Sequence, residues 1–230
     1  MMSSPIIVAL DFSTREEALV LAKQLDPKLC RLKVANTLFT HYGPSIIDEL
    51  QTLGFEIFLD LKYHDIPNQV AGSCAQAARL GVWMLTVHTA GGEAMMRAAR
   101  EAVDTIPGAR PLVIGVTVLT SLSTEDLSQV GYKENVIDTV VKLGELAKFS
   151  GLDGVVSSAI EASMLRDHLG DDFIYVTPGI RLSTDHSDDQ KRIMTPTKAL
   201  AAGSSYLVIG RAITRASEPA AMLQKIYQSI

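Results

Sequence analysis

The chain has 230 residues and 24.8 kDa, a length at which an α/β barrel commonly forms one domain around one large core. Its formal net charge of -5 comes from 21 Lys and Arg against 26 Asp and Glu mixed along the chain, so no basic arm or stripe is offered to nucleic acid and any anion must be bound locally. The start Met1-Met2-Ser3-Ser4-Pro5 lacks the pattern of a signal peptide, no apolar run reaches membrane-spanning length, and only Cys30 and Cys74 are present, so a cytoplasmic protein with no membrane partner is expected.

In chain order, a β-type run over 6–11 leads into helical spacing over 15–25, a strand over 31–34 into a helix over 45–53, and a strand over 57–62 into a helix over 69–80. The series continues with strand 84–88 and helix 93–103, strand 112–119 and helix 135–149, and strand 154–157 and helix 161–169. It closes with strand 173–177 and helix 197–202, then strand 206–209 and helix 219–227. Ile6-Ile7-Val8-Ala9-Leu10 and Leu112-Val113-Ile114-Gly115-Val116 are apolar on both faces, as in a parallel strand with helices on one side and a packed interior on the other. The alternation predicts an α/β fold, a (β/α)₈ TIM barrel, in a single domain over 1–230. An open doubly wound sheet is the alternative. It normally carries a glycine fingerprint after its first strand, where this chain reads Ala9-Leu10-Asp11-Phe12-Ser13, and Gly91-Gly92 lacks the third glycine at the required spacing. Cys30 at a strand entrance, Cys74 in an Ala-rich helix, and Trp83, Met95 and Met96 on apolar faces are expected to serve packing.

The segment 56–67 carries the most chemistry, because its apolar run ends in Asp60, Lys62 and Asp65. Alternate side chains of an extended chain share a face, so Asp60 and Lys62 should point the same way, with Asp65 on the turn before a helix that Pro67 can open. A structural ion pair with a helix-capping Asp65 is the bland reading. Against it stands what gathers at the other strand ends: Asp11, Lys33, His88, Thr120, Ser121, Arg181, Gly210 and Arg211. In a barrel these ends form the active-site face, and unpaired ions there would be costly without a function.

Val208-Ile209-Gly210-Arg211 and Thr177-Pro178-Gly179-Ile180-Arg181 look like an anion site, with a glycine for close backbone approach and two guanidiniums. The polar loop 182–192 is long enough to move, and Gln190 within it could reach a ligand on closure. Asp60, Asp65 and His88 could in principle hold Mg²⁺ or Zn²⁺, but Lys33 and Lys62 in the same mouth would repel a cation, so no metal is expected. No nucleophile elbow surrounds a serine, and neither cysteine is expected to be a reactive thiolate.

Val8-Ala9-Leu10-Asp11, Leu32-Lys33-Val34, the block from Asp60 to Pro67, Gly115 to Ser121, Thr177 to Arg181 and Val208 to Arg211 together resemble the orotidine 5'-phosphate decarboxylase family of the bacterial type, along essentially the whole chain. Related sugar-phosphate barrels share the Asp-x-Lys-x-x-Asp core, but they place an acidic residue at the position of Lys33 and use Mg²⁺. The resemblance implies conversion of orotidine 5'-monophosphate to UMP and CO₂ with no cofactor, in a homodimer. It implies a tetrad of Lys33, Asp60, Lys62 and Asp65, with Asp65 reaching into the neighbouring site and Lys62 as proton donor. Asp11 and Lys33 would hold ribose hydroxyls, and Asp60 would lie near the substrate carboxylate. Thr120 and Ser121 would lie by the pyrimidine, and Arg181, Gln190, Gly210 and Arg211 would hold the phosphate. Two departures from the family pattern are Ala35-Asn36-Thr37 after the second strand and Gln69 after Pro67.

Overall fold

The computed structural model describes residues 4–108, 110–181 and 194–230. Eight strands, β1 (Ile6–Ala9), β2 (Arg31–Ala35), β3 (Ile57–Tyr63), β4 (Met84–His88), β5 (Leu112–Val116), β6 (Gly154–Val156), β7 (Ile174–Thr177) and β8 (Tyr206–Ile209), pair in parallel and in sequence order into a closed barrel. The expected TIM barrel is thus the fold. Around it run α1 (Arg15–Ala22), α2 (Asn36–Tyr42), α3 (Pro44–Thr52), α4 (Pro67–Arg79), α5 (Glu93–Asp104), α6 (Thr124–Gln129), α7 (Val136–Phe149), α8 (Ala159–Leu169), α9 (Pro196–Ala201), α10 (Arg211–Thr214) and α11 (Pro219–Gln228).

Three helices escaped the sequence reading. α2, α6 and α10 have 7, 6 and 4 residues, too short for a 3.6-residue period to stand out. β1 and β5 end two and three residues earlier than expected, because apolarity reports burial and not pairing. Val118 and Leu10 are buried, yet β5 has no β6 partner beyond the Val116–Val156 pair, and β1 ends at the Ala9–Lys33 pair. The proline-led starts of α3, α4, α9 and α11 follow from the fixed φ of proline and its missing N–H, which costs nothing in a first turn.

Burial falls into two shells. Outer strand faces pack on the helices, with Met95, Met96 and Cys74 fully buried there and Cys30 nearly so, as expected of packing residues. Inside the barrel a smaller cluster of Ile7, Ala9, Phe58, Met84, Ile114, Val176 and Val208 fills the middle. Successive inward positions of β2 and β3 then run from apolar or structural residues below to Lys33 and Asp60 above.

The lower end is closed by Arg31. Its guanidinium lies 4.0 Å from the centroid of Trp83 and 5.4 Å from that of Tyr206, donates to the Ser4 carbonyl at 2.6 Å and pairs with Glu56 at 2.8 Å. Trp83 and Tyr206 meet edge to face at 5.0 Å. A cation of β2 set against two rings, one just before β4 and one on β8, ties the base of the barrel together. Arg31→Ala should lower unfolding stability by about 2 kcal/mol through lost cation–π and stem packing. The check is a fall in urea midpoint at unchanged m-value; an unchanged midpoint would show that the plug contributes nothing.

Candidate active site

At the upper end three strands bring charge together. Lys33 of β2 sits two residues below the Ala35–Asp60 pair, so its side chain rises beside Asp60 of β3. Lys33 Nζ lies 3.5 Å from Asp60 Oδ2 and 3.3 Å from Asp11 Oδ1, and Lys62 Nζ lies 2.9 Å from the same Asp60 Oδ2. One carboxylate oxygen therefore serves two ammonium groups. Asp60 and Lys33 are 8 % exposed, whereas Asp11 and Lys62 open toward solvent.

Burial alone would push the Asp60 carboxyl up, but the Lys33 and Lys62 ammoniums and the hydrogen bonds from Lys62 and Thr86 outweigh it and hold it below its ordinary value. It is ionised at neutral pH. His88, at the top of β4, is held below the ordinary imidazole value by burial first, then by His64 and Lys62, so it is neutral there. Its ring lies 5.4 Å from that of His64.

Asp60 and Lys62 do not meet by simple strand alternation. Between the Leu59–Leu85 and Tyr63–Val87 pairs, four steps along β3 match two along β4, so β3 bulges there. Lys62 takes up the excess with φ +53°, the one left-handed non-glycine among the described residues. That conformation costs an L-residue about 1–2 kcal/mol, and such strain persists only where surroundings over-determine it. Thr86, fully buried on β4, supplies part of that constraint: its hydroxyl accepts the Lys62 N–H at 2.9 Å and donates to Asp60 Oδ1 at 3.0 Å.

The charges face a cavity of about 650 Å³, large enough for a nucleotide-sized ligand. Ala9, Phe58, Val116, Val156, Val176 and Val208 line it with apolar surface, while Asp11, Lys33, Asp60 and Lys62 supply charge. Thr120, Arg181, Gly210 and Arg211 also line it. Gly179 turns the chain toward Arg181 at φ +78°, a conformation that a side chain would strain. Phe12, Glu17, Thr214 and Arg215 extend the rim; their sequence neighbourhood gave no signal for it.

These charges and this cavity on a TIM barrel can be set beside known proteins. The family model for the orotidine 5'-phosphate decarboxylase / HUMPS family matches residues 4–226. The chain is 56 % identical over 225 residues to orotidine 5'-phosphate decarboxylase of Hydrogenovibrio crunogenus, covering 98 % of this chain and 95 % of that one. It is 54 % identical over 220 residues to the enzyme of that name from Marinomonas sp., covering 96 % and 94 %. The crystal structure of orotidine 5'-phosphate decarboxylase from Lactobacillus acidophilus superposes with a TM-score of 0.88 at 38 % identity, covering 98 % of each chain. The chain belongs to the orotidine 5'-phosphate decarboxylase / HUMPS family.

In this member of the orotidine 5'-phosphate decarboxylase / HUMPS family, several residues singled out from the sequence stand apart from the cavity. Ser121 is exposed and does not line it, though Thr120 does. Asp65 is exposed, its Oδ1 accepting the Ile66 N–H at 2.6 Å, and among the described residues of one chain it has no ion-pair partner. The capping role considered for Asp65 fails: α4 starts at Pro67, its N-cap is Ile66, and no side chain caps it. Two residues past the end of β3, Asp65 is carried outward by the turn instead of continuing the strand face. Gln190 lies outside the described residues. The departures fall at the start of helices: Ala35 is the N-cap of α2, with no side-chain cap, and Gln69 is exposed on the first turn of α4. Among the described residues no group of three or more His, Cys, Asp or Glu side chains is arranged to hold a metal ion, and no helix is long and apolar enough to cross a membrane.

Beside those rim residues, sequence reading also missed Thr86. Its one signal was a hydroxyl within the apolar run Met84-Leu85-Thr86-Val87, where a buried polar group needs partners.

Proposed function

We propose that the chain decarboxylates orotidine 5'-monophosphate to UMP and CO₂ in de novo pyrimidine biosynthesis, without metal or cofactor. The observation that carries this reading, beside membership of the family, is the single Asp60 oxygen held by Lys33 and Lys62 over an apolar cavity. Loss of CO₂ breaks the bond from C6 to the carboxylate carbon and leaves the electron pair on C6. That pair lies in an sp² orbital orthogonal to the ring π system, so an electron sink of the Schiff-base or ylid kind has nothing to conjugate with. Fixed charge is what can help. The Lys62 ammonium stabilises the developing carbanion and then passes its proton to C6, and solvent returns a proton to the amine.

Asp60 keeps that ammonium charged and aimed, and disfavours the substrate carboxylate beside it relative to the carbanion. Asp11 and Lys33 hold ribose hydroxyls, Thr120 the pyrimidine edge, and Arg181, Gln190, Gly210 and Arg211 the phosphate. The decisive experiment follows the ultraviolet absorbance of orotidine 5'-monophosphate incubated with purified protein, with and without EDTA. Loss of absorbance in both arms is expected. No loss would sink the activity, and loss abolished by EDTA would favour a Mg²⁺-dependent lyase on the same barrel.

The protein acts as a cytoplasmic homodimer of one barrel domain per chain, with Asp65 completing the tetrad of the neighbouring site. Support comes from Asp65 and the 64 % exposed Ile66 standing together outside their own cavity. Lys62→Ala and Asp65→Ala subunits, each inactive alone, should regain roughly a quarter of wild-type activity when co-expressed, because half the dimers are mixed and each mixed dimer carries one intact site. No recovery would place Asp65 in its own subunit's site, and an active Asp65→Ala protein would remove it from the chemistry.

A further inference from the structure

We propose that Thr86 is a positioning residue for this reaction: its hydroxyl fixes the backbone of Lys62 and the carboxylate of Asp60 at once, and so sets the aim of the proton-donating ammonium. The inference rests on the decarboxylase reading above.

Thr86 does not line the cavity, so it cannot act on substrate directly. It is fully buried, where a hydroxyl has one proton to give and lone pairs to fill. The Lys62 N–H can only donate, so at 2.9 Å the Thr86 oxygen must be the acceptor. Its own proton then goes to Asp60 Oδ1, 3.0 Å away. The direction of both bonds is forced.

Two consequences follow for the site. The bulge takes Lys62 out of step with β4, and the Thr86 oxygen receives the N–H at the position where φ is +53°. With Oδ1 occupied by Thr86, Asp60 turns Oδ2 to Lys62 at 2.9 Å and Lys33 at 3.5 Å. Backbone strain at the donor and orientation of its counter-ion thus share one hydroxyl. A misplacement of the reacting group by a fraction of an ångström acts on the chemical step more than on binding, since the phosphate contacts proposed for Arg181, Gly210 and Arg211 come from other strand ends.

Thr86→Val keeps the shape and deletes both bonds; Thr86→Ser keeps the hydroxyl. Kinetics of UMP formation should show kcat lowered roughly 10- to 100-fold in Thr86→Val with KM within about threefold of wild type. Thr86→Ser should return kcat to within a few-fold of wild type. A wild-type kcat in folded Thr86→Val overturns the inference, as does a Thr86→Ser variant equally impaired. Should Thr86→Val not fold, Thr86→Ala against Thr86→Ser reads the same hydroxyl with the same two outcomes. A wild-type protein that forms no UMP overturns the decarboxylase reading, and this inference with it. UMP formed equally by wild type and Thr86→Val overturns this inference alone.

Discussion

Lys62→Ala should lower kcat for UMP formation by roughly 10⁴-fold or more, since it removes a general acid worth about 10²-fold at the least and a fixed charge of similar or larger effect. That corresponds to about 5.5 kcal/mol of transition-state stabilisation. The fold should survive. Lys62 is a partly exposed member of the cluster, Asp60 retains Lys33 at 3.5 Å, and an alanine relieves little of the packing around β3. Lys62→Arg separates the two contributions: it keeps a cation but presents a guanidinium that does not give up its proton, so it should remain far below wild type. Single-turnover measurement of UMP on protein shown folded by its thermal transition provides the check. Near-normal UMP formation by Lys62→Ala would end the proposed assignment of the proton donor.

The second large effect belongs to the phosphate, a group remote from C6. Arg181, Gly210 and Arg211 line the same cavity as Lys62. Energy gathered at a non-reacting group can assemble the site, so it is felt in kcat as well as in KM. Orotidine, which lacks the phosphate, should show kcat/KM lower by roughly 10³-fold or more than its monophosphate, by loss of several charge-assisted hydrogen bonds. Arg211→Ala should raise KM for the monophosphate roughly 10- to 100-fold and leave turnover of orotidine nearly unchanged. Equal turnover of orotidine and its monophosphate would remove the phosphate from the account, and an Arg211→Ala defect of the same size on both substrates would mean that Arg211 acts elsewhere.

Much of the fold was legible because its signals are local. Strands such as β4 and β8 read directly from their apolar runs, and the start of α4 was foreshadowed by Pro67 even though its periodicity begins later. Lys33, Asp60 and Lys62 were legible too, as charges where burial should not end in charge without a partner. Asp65 belonged to the same motif by spacing, but within one chain the turn after β3 carries it outward. Arg31 and Trp83 gave no hint of each other. Arg31 opens β2 and Trp83 stands just before β4, and only closure of the barrel stacks one on the other.

The amino-acid order by itself determined the eightfold alternation, the face on which chemistry gathers, and the family, because each depends on residues near one another along the chain or on a motif read in place. Tertiary structure alone decided the left-handed turn at Lys62, the hydroxyl of Thr86 beneath it, the outward course of Asp65 and the cation plug at the base. These depend on register between strands whose partners stand 24 and 26 residues apart in the Thr86 bonds, and no local period encodes a bulge between them.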